Sequence, residues 1–143
     1  MANVETHAGL TSRVGNGVVA GIAGGVVFGA LLAMMGMFPM IAMLVGSTSA
    51  AVGALVHLVI SVGLGALFAL VVPVLATGAT LGAGAVYGAL WWVLGPLLIM
   101  PAWLGGSVFT VGNPQIMSLI GHVIFGVVVA AVLLGLRRRA HVA

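Results

Sequence analysis

The sequence lacks charged residues over nearly its whole length. No aspartate, glutamate, lysine or arginine occurs between Val14 and Leu136, and the charges lie at the two ends: Glu5, Arg13 and the three arginines at 137–139. A transmembrane helix needs about 20 apolar residues to cross a bilayer core about 30 Å thick, and a buried charge there is costly. Four such helices with short turns fill the uncharged window. The chain is therefore predicted to be an integral membrane protein.

Other absences narrow the possible functions. Cysteine is missing, which excludes disulfide exchange, thiolate catalysis and iron–sulfur ligation by this chain. The single acid, Glu5, lies outside the apolar window and disfavours proton-coupled antiport through a carboxylate. No Ser/His/Asp set, metal-hydrolase motif or phosphate-binding glycine loop is present, which argues against an independent enzyme. The net charge of +3 comes from terminal arginines rather than a basic face, so no nucleic-acid partner is expected.

Apolar runs and turn residues predict an all-α, polytopic membrane fold in one domain covering residues 1–143. Prolines fall at the proposed helix ends, where they stop or start a helix. Pro96 falls near the end of the third helix and is expected to kink it. Glycine, serine, threonine and asparagine supply the turns. The predicted transmembrane helices are about 16–38, 49–72, 80–100 and 114–136.

The flanking charges predict the orientation in the membrane. Arg13 precedes the first helix and three arginines follow the last, and cytoplasmic flanks carry an excess of such residues. Four helices place both flanks on one side, so both termini are expected in the cytoplasm, in the inner (plasma) membrane. The first apolar segment is too long for a signal-peptide core and is expected to be retained as a helix.

The two halves of the chain resemble each other. The run Phe28-Gly29-Ala30-Leu31 aligns with Tyr87-Gly88-Ala89-Leu90 at an offset of 59 residues, and a six-residue insertion then pairs His57 with His122. Each half is one helical hairpin, so the halves cross the membrane in the same direction. This pattern predicts two tandem parallel repeats, 16–75 and 78–137.

Small residues recur every four positions along the predicted helices. Gly17, Gly21, Gly25 and Gly29 form one stripe of the first helix, and such stripes let helix backbones approach closely. The corresponding stripes of the second and fourth helices each contain a histidine. They are Gly53, His57, Ser61 and Gly65, and Ser118, His122, Gly126 and Ala130.

His57 and His122 are the predicted cofactor-binding and metal-binding residues. An ionisable side chain inside a membrane is by default a candidate for function, and imidazole is the commonest metal ligand among side chains. A pseudo-twofold axis would let the two rings face each other across the bundle. That geometry suits axial ligation of a haem b, with copper as a less favoured ligand.

A purely structural role for the histidines stays open. A buried neutral imidazole can hydrogen-bond to Ser61, Ser118 or a free carbonyl and have no other task. Haem propionates also need cationic or several polar partners, and no lysine or arginine lies near the predicted external ends of the helices, the ends nearer the two histidines.

Methionine gives a second, weaker metal signal. The spacing of Met34, Met37, Met40 and Met43 resembles the methionine-spaced helices of copper importers over about ten residues, and thioethers suit Cu(I). Methionine is also an ordinary gap-filler, and we favour packing. Trp91 and Trp92 can flank a ligand, but we favour a role in lining a helix contact, and Trp103 is expected to anchor at the membrane interface.

Three functions are consistent with these patterns. The first is a membrane redox or metal module, or an accessory subunit of a respiratory-type complex, with a site at His57 and His122. The second is a small transporter or channel for a metal ion or small solute. The third is a structural subunit whose glycine stripes pack against partner helices. Besides the lipid bilayer, the expected partners are other membrane subunits or further copies of this chain.

Overall fold

A computed structural model describes residues 2–73 and 76–140 of the protein, and no strand occurs in these two ranges. Four segments are long and apolar enough to cross a membrane: Gly9–Met34, Ala50–Val71, Thr77–Leu104 and Asn113–Arg139. The all-α, polytopic prediction is confirmed. Residues 74 and 75, with which the first predicted repeat ends, and positions 1 and 141–143 of the predicted domain lie outside the described residues. The helices are α1 (Ala2–Met34), α2 (Phe38–Ala42), α3 (Ala50–Val71), α4 (Thr77–Trp92), α5 (Met100–Leu104) and α6 (Asn113–Ala140).

The predicted end of the first helix at residue 38 is wrong. Helix α1 ends at Met34, because Gly36 adopts a left-handed conformation with φ of 65° that glycine reaches without steric cost. Pro39 then lies in the first turn of α2 rather than at the end of α1, where its missing N–H costs nothing. A 3₁₀ turn, Met43–Val45, follows α2.

The third span continues past its predicted end because it changes its helix type. A π-helix, Val93–Ile99, joins α4 to α5 and contains Pro96, which cannot donate the usual backbone hydrogen bond. Pro101 likewise leaves the carbonyl of Leu97 without its helical partner. The backbone N–H of Phe109 donates to that carbonyl at 2.7 Å, which ties the loop after α5 to the π-helix.

The spans pack as two hairpins, α1 with α3 and α4 with α6, and the hairpins meet along α1 and α6. Glycine permits the first hairpin to close: a Cβ at Gly17 would lie 2.6 Å from Ala66 Cα, and one at Gly25 would lie 2.7 Å from Ser61 Cβ. The close contact predicted from the glycine stripe of α1 is confirmed.

The second hairpin closes through corresponding residues. A Cβ at Gly84 would lie 2.8 Å from Ala130 Cβ, and one at Gly88 would lie 2.7 Å from the carbonyl carbon of His122. At the offsets found in the sequence, these glycines correspond to Gly25 and Gly29 of α1. The correspondence agrees with the proposed repeats, whose origin in a duplication stays a prediction.

Arginines from both ends of the chain lie at one end of the bundle. The guanidinium of Arg13 donates to the carbonyls of Ala69 and Leu70 at 3.0 Å, at the C-terminal end of α3. Arg138 donates to the hydroxyl of Thr77 at 3.0 Å, at the start of α4. This arginine end lies beside the connection from α3 to α4, and its assignment to the cytoplasm stays a prediction.

Candidate functional site

A cavity of about 350 Å³ lies among all four spans, in the half of the bundle away from the arginine end. Helices α2 and α5 cover its outer side, while Ile60 and Ile99 line it and are 44% and 52% exposed. The cavity therefore reaches the outer surface between α3 and the π-helix. Its lining is mostly apolar, and its polar side chains are His57, Gln115, Ser118 and His122.

The cavity is closed toward the arginine end. The hydroxyl of Tyr87 donates to the carbonyl of Leu64 at 2.8 Å and so joins α4 to α3. The ring of Tyr87 packs against Phe68, with ring centroids 4.9 Å apart. Phe68 and Val129 are fully buried in this part of the core, which fills the space between the cavity and the arginines.

His57 is oriented by helix α1. Its Nε2 lies 2.9 Å from the carbonyl oxygen of Gly25, and the Ser61 hydroxyl lies 3.5 Å from the same nitrogen. A carbonyl oxygen can only accept, so the proton of this neutral ring is on Nε2. Because Gly25 has no side chain, α1 comes close enough to accept this bond: a Cβ there would lie 2.7 Å from Ser61 Cβ. His57 is 8% exposed.

His122 is oriented by its own helix. Its Nδ1 lies 2.8 Å from the carbonyl oxygen of Ser118, one turn earlier in α6, and 3.3 Å from the Ser118 hydroxyl. The same reasoning places the proton of this ring on Nδ1. The structural alternative predicted a hydrogen bond to Ser61, to Ser118 or to a free carbonyl. Contacts with both serines are present, and the carbonyls that accept, those of Gly25 and Ser118, lie within helices.

Those contacts use one nitrogen of each ring and leave the other without a partner. Nδ1 of His57 and Nε2 of His122 make no hydrogen bond in the described part of the chain, and neither atom is completely buried. Both nitrogens therefore have accessible surface, and both rings line the cavity. The arrangement presents two lone pairs, suited to a metal ion or to a ligand that donates hydrogen bonds.

The two imidazoles share one aromatic neighbour, Phe28 of α1. Its ring centroid lies 5.3 Å from that of His57 and 4.7 Å from that of His122, in edge-on arrangements. The histidine centroids are thus separated by at most the sum of these distances, about 10 Å. The sequence predicted that the two histidines share a site, and both do line one cavity, but it did not predict an aromatic ring in contact with both.

The methionines do not form the continuous stripe that their spacing suggested. Because the chain turns at Gly36, Met34 and Met43 are 84% and 46% exposed, and neither lines the cavity. Met37 and Met40 do line it.

Two other cavity residues, Met100 and Gln115, were not foreseen as parts of a site, whereas Trp91, one of the tryptophan pair considered as flanking a ligand, also lines the cavity. Met100 belongs to the opposite hairpin, and only the fold brings it to the cavity. The indole nitrogen of Trp91 is buried and has no hydrogen-bond partner among the described residues. Trp92 packs between helices as expected, and its indole N–H donates to the carbonyl of Gln115 at 2.7 Å.

No group of three or more histidine, cysteine or acidic side chains placed to hold a metal occurs in residues 2–73 and 76–140. Besides the two imidazoles, the cavity offers a metal the thioethers of methionines, the amide of Gln115 and the hydroxyl of Ser118. Comparisons with protein-family models, with curated proteins and with solved structures found no match to this chain.

Proposed function

We propose that this membrane protein is a metal-binding redox module, with His57 and His122 as ligands of one centre in the cavity. The observation that carries the proposal is that both imidazole rings line one cavity and that each has one nitrogen without a hydrogen-bond partner among the described residues. Histidines that bind metals almost always donate their other ring N–H to a carbonyl, a carboxylate or water. His57 and His122 both donate to backbone carbonyls, which is the arrangement that holds an imidazole ready for a metal.

The centre can be a haem or a metal ion without a macrocycle, and two features favour the ion. None of the described residues lining the cavity is cationic, so haem propionates would have only neutral partners such as Gln115. The unpaired nitrogen of His57 is Nδ1, next to the Cβ attachment, where the side chain crowds a flat macrocycle. A haem would therefore require His57 to rotate away from Gly25.

A redox centre needs a partner that supplies or accepts its electron. We therefore extend the proposal to an accessory role beside other membrane subunits or a second copy of the chain. A channel is less compatible with the geometry, because Tyr87 and the fully buried Phe68 close the cavity toward the arginine end. A purely structural role leaves the two lone pairs on the cavity wall without a function.

The test is metal and haem binding by the purified protein. The visible spectrum and the metal content are measured after expression with added haem and, separately, with added copper. We expect one centre per chain, lost in His57→Ala and in His122→Ala, with little further loss in the double variant. Non-additivity of this kind is expected of residues that share a ligand.

The matched control is His141→Ala, which changes a histidine outside the apolar part of the sequence and is expected to bind as the unchanged protein does. Melting temperatures of all variants in detergent separate lost binding from lost folding. A protein that takes up neither haem nor metal would contradict the proposal, and so would histidine variants with unchanged binding.

A further inference from the structure

The methionines that reach the cavity come from two separate elements. Met37 and Met40 lie on the segment that covers the cavity from the first hairpin, and Met100 begins the corresponding short helix α5 of the second. Helix α5 contacts the 3₁₀ turn Met43–Val45 that follows α2. The two segments that cover the cavity, which we call its covers, therefore both contribute thioethers to the cavity that the two imidazoles line.

All these candidate ligands are neutral. The apolar window from Val14 to Leu136 contains no carboxylate or thiolate that would compensate the charge of a bound ion. The cost of moving an ion out of water grows with the square of its charge, so a divalent ion is far more expensive here than a monovalent one. Thioether sulfur is a soft ligand that selects Cu(I), whereas Mg²⁺, Ca²⁺ and Mn²⁺ prefer oxygen.

We infer that the cavity binds a monovalent soft cation, Cu(I), through the imidazoles of His57 and His122 and one thioether sulfur from each covering segment, that of Met37 or Met40 and that of Met100. This inference rests on the proposed metal site and adds the identity of the metal and of its sulfur ligands. The ion is bound from both hairpins at once, so binding also links the two covers of the cavity.

The inference is tested by titrating the purified protein with Cu(I) against a chromophoric Cu(I) chelator. Ag(I), a redox-inert soft cation of the same charge, and Zn(II) serve as comparison ions. We expect binding of one Cu(I) or Ag(I) per chain and no competition from equimolar Zn(II). Zn(II) that displaces Cu(I) would overturn the inference and leave the histidine site in place.

The sulfur ligands are tested by the triple variant Met37→Leu, Met40→Leu, Met100→Leu. Leucine nearly conserves the volume of methionine and removes the sulfur, so the affinity for Cu(I) is expected to fall at least about ten-fold, as it does when a metal site loses supporting groups. The control triple changes exposed methionines that do not line the cavity: Met34→Leu, Met43→Leu and Met117→Leu. The control is expected to bind like the unchanged protein.

The outcomes separate this inference from the proposed function. Cu(I) binding that disappears in His57→Ala but is unchanged in the cavity triple would contradict sulfur ligation and keep the histidine site. Equal losses in the cavity triple and the control triple would also contradict it, because the effect would not come from the cavity. Binding that survives in both the histidine variants and the cavity triple would overturn both.

Discussion

Two contacts between the hairpins correspond to each other: α1 with α6, and α3 with α4. The helices α1 and α6 pack closely, and we call this the closed contact, whereas α3 and α4 lie farther apart and form the open contact. Glycine lies on both sides of the closed contact. A Cβ at Gly24 would lie 2.9 Å from the ring of Phe125, and one at Gly121 would clash with the ring of Phe28. At the offsets of the proposed repeats, the residues that correspond to these glycines are Ala83 and Val56.

The side chains of Ala83 and Val56 offer an explanation for the wider spacing between α3 and α4. Ala83 and Val56 both carry a Cβ where the closed contact has none, and we attribute the wider separation of α3 and α4 to these atoms. Between α3 and α4 the contact comes from Tyr87, through its hydrogen bond to Leu64 and its ring against Phe68. The gap that remains farther from the arginine end is part of the cavity. We attribute the open side of the bundle to these two glycines, which the contact between α1 and α6 has and the contact between α3 and α4 lacks.

The largest expected effect is at Gly121, where the closed contact has no room. Gly121→Leu places a side chain on the ring of Phe28 and is expected to lower the free energy of unfolding by about 3 kcal/mol or more. The matched change in the open contact is Val56→Leu, which adds one methylene at a partly exposed position and is expected to cost about 1 kcal/mol or less. Thermal unfolding in detergent measures both. Equal losses would show that the two contacts do not differ in packing.

A smaller effect is expected when the closed contact loses its aromatic ring. Phe28→Ala removes a 5% exposed side chain that touches both histidines. The expected loss of stability is about 2 kcal/mol, below the usual cost of such a truncation in water, because lipid lowers the transfer part of that cost. Trp103→Ala, at a 73% exposed side chain, is the control. A Phe28→Ala protein as stable as that control would mean that the ring does not support the contact.

The smallest effect is expected at the hydrogen bond that holds the open contact. Tyr87→Phe keeps the ring against Phe68 and removes the hydroxyl that donates to Leu64, so the expected cost is about 1 kcal/mol. If this bond closes the cavity floor, accessibility of the cavity from the arginine end should increase. A cysteine in place of Leu64, labelled from that side with and without Tyr87→Phe, measures the change. Unchanged labelling would show that Phe68 alone closes the floor.

The sequence predicted the number of spans and the close contact along Gly17, Gly21 and Gly25, because the first depends on hydropathy and the second on the spacing of small residues. It did not predict the end of α1, since the turn at Gly36 competes with a run of residues that is equally apolar on both sides. It also did not predict which nitrogen of each histidine is paired. His57 is held by the neighbouring helix and His122 by its own, and only the packed structure distinguishes the two.

The proposed site requires each histidine to present one unpaired ring nitrogen to the shared cavity. Solid-state ¹⁵N NMR of histidine-labelled protein in a bilayer distinguishes the two nitrogens of each ring, with the signals assigned through His57→Gln and His122→Gln. We predict opposite tautomers, with the proton on Nε2 of His57 and on Nδ1 of His122, and a shift of both unprotonated nitrogens when one equivalent of Ag(I) is added. Identical tautomers, or a shift at one histidine alone, would contradict a metal site shared by the two histidines.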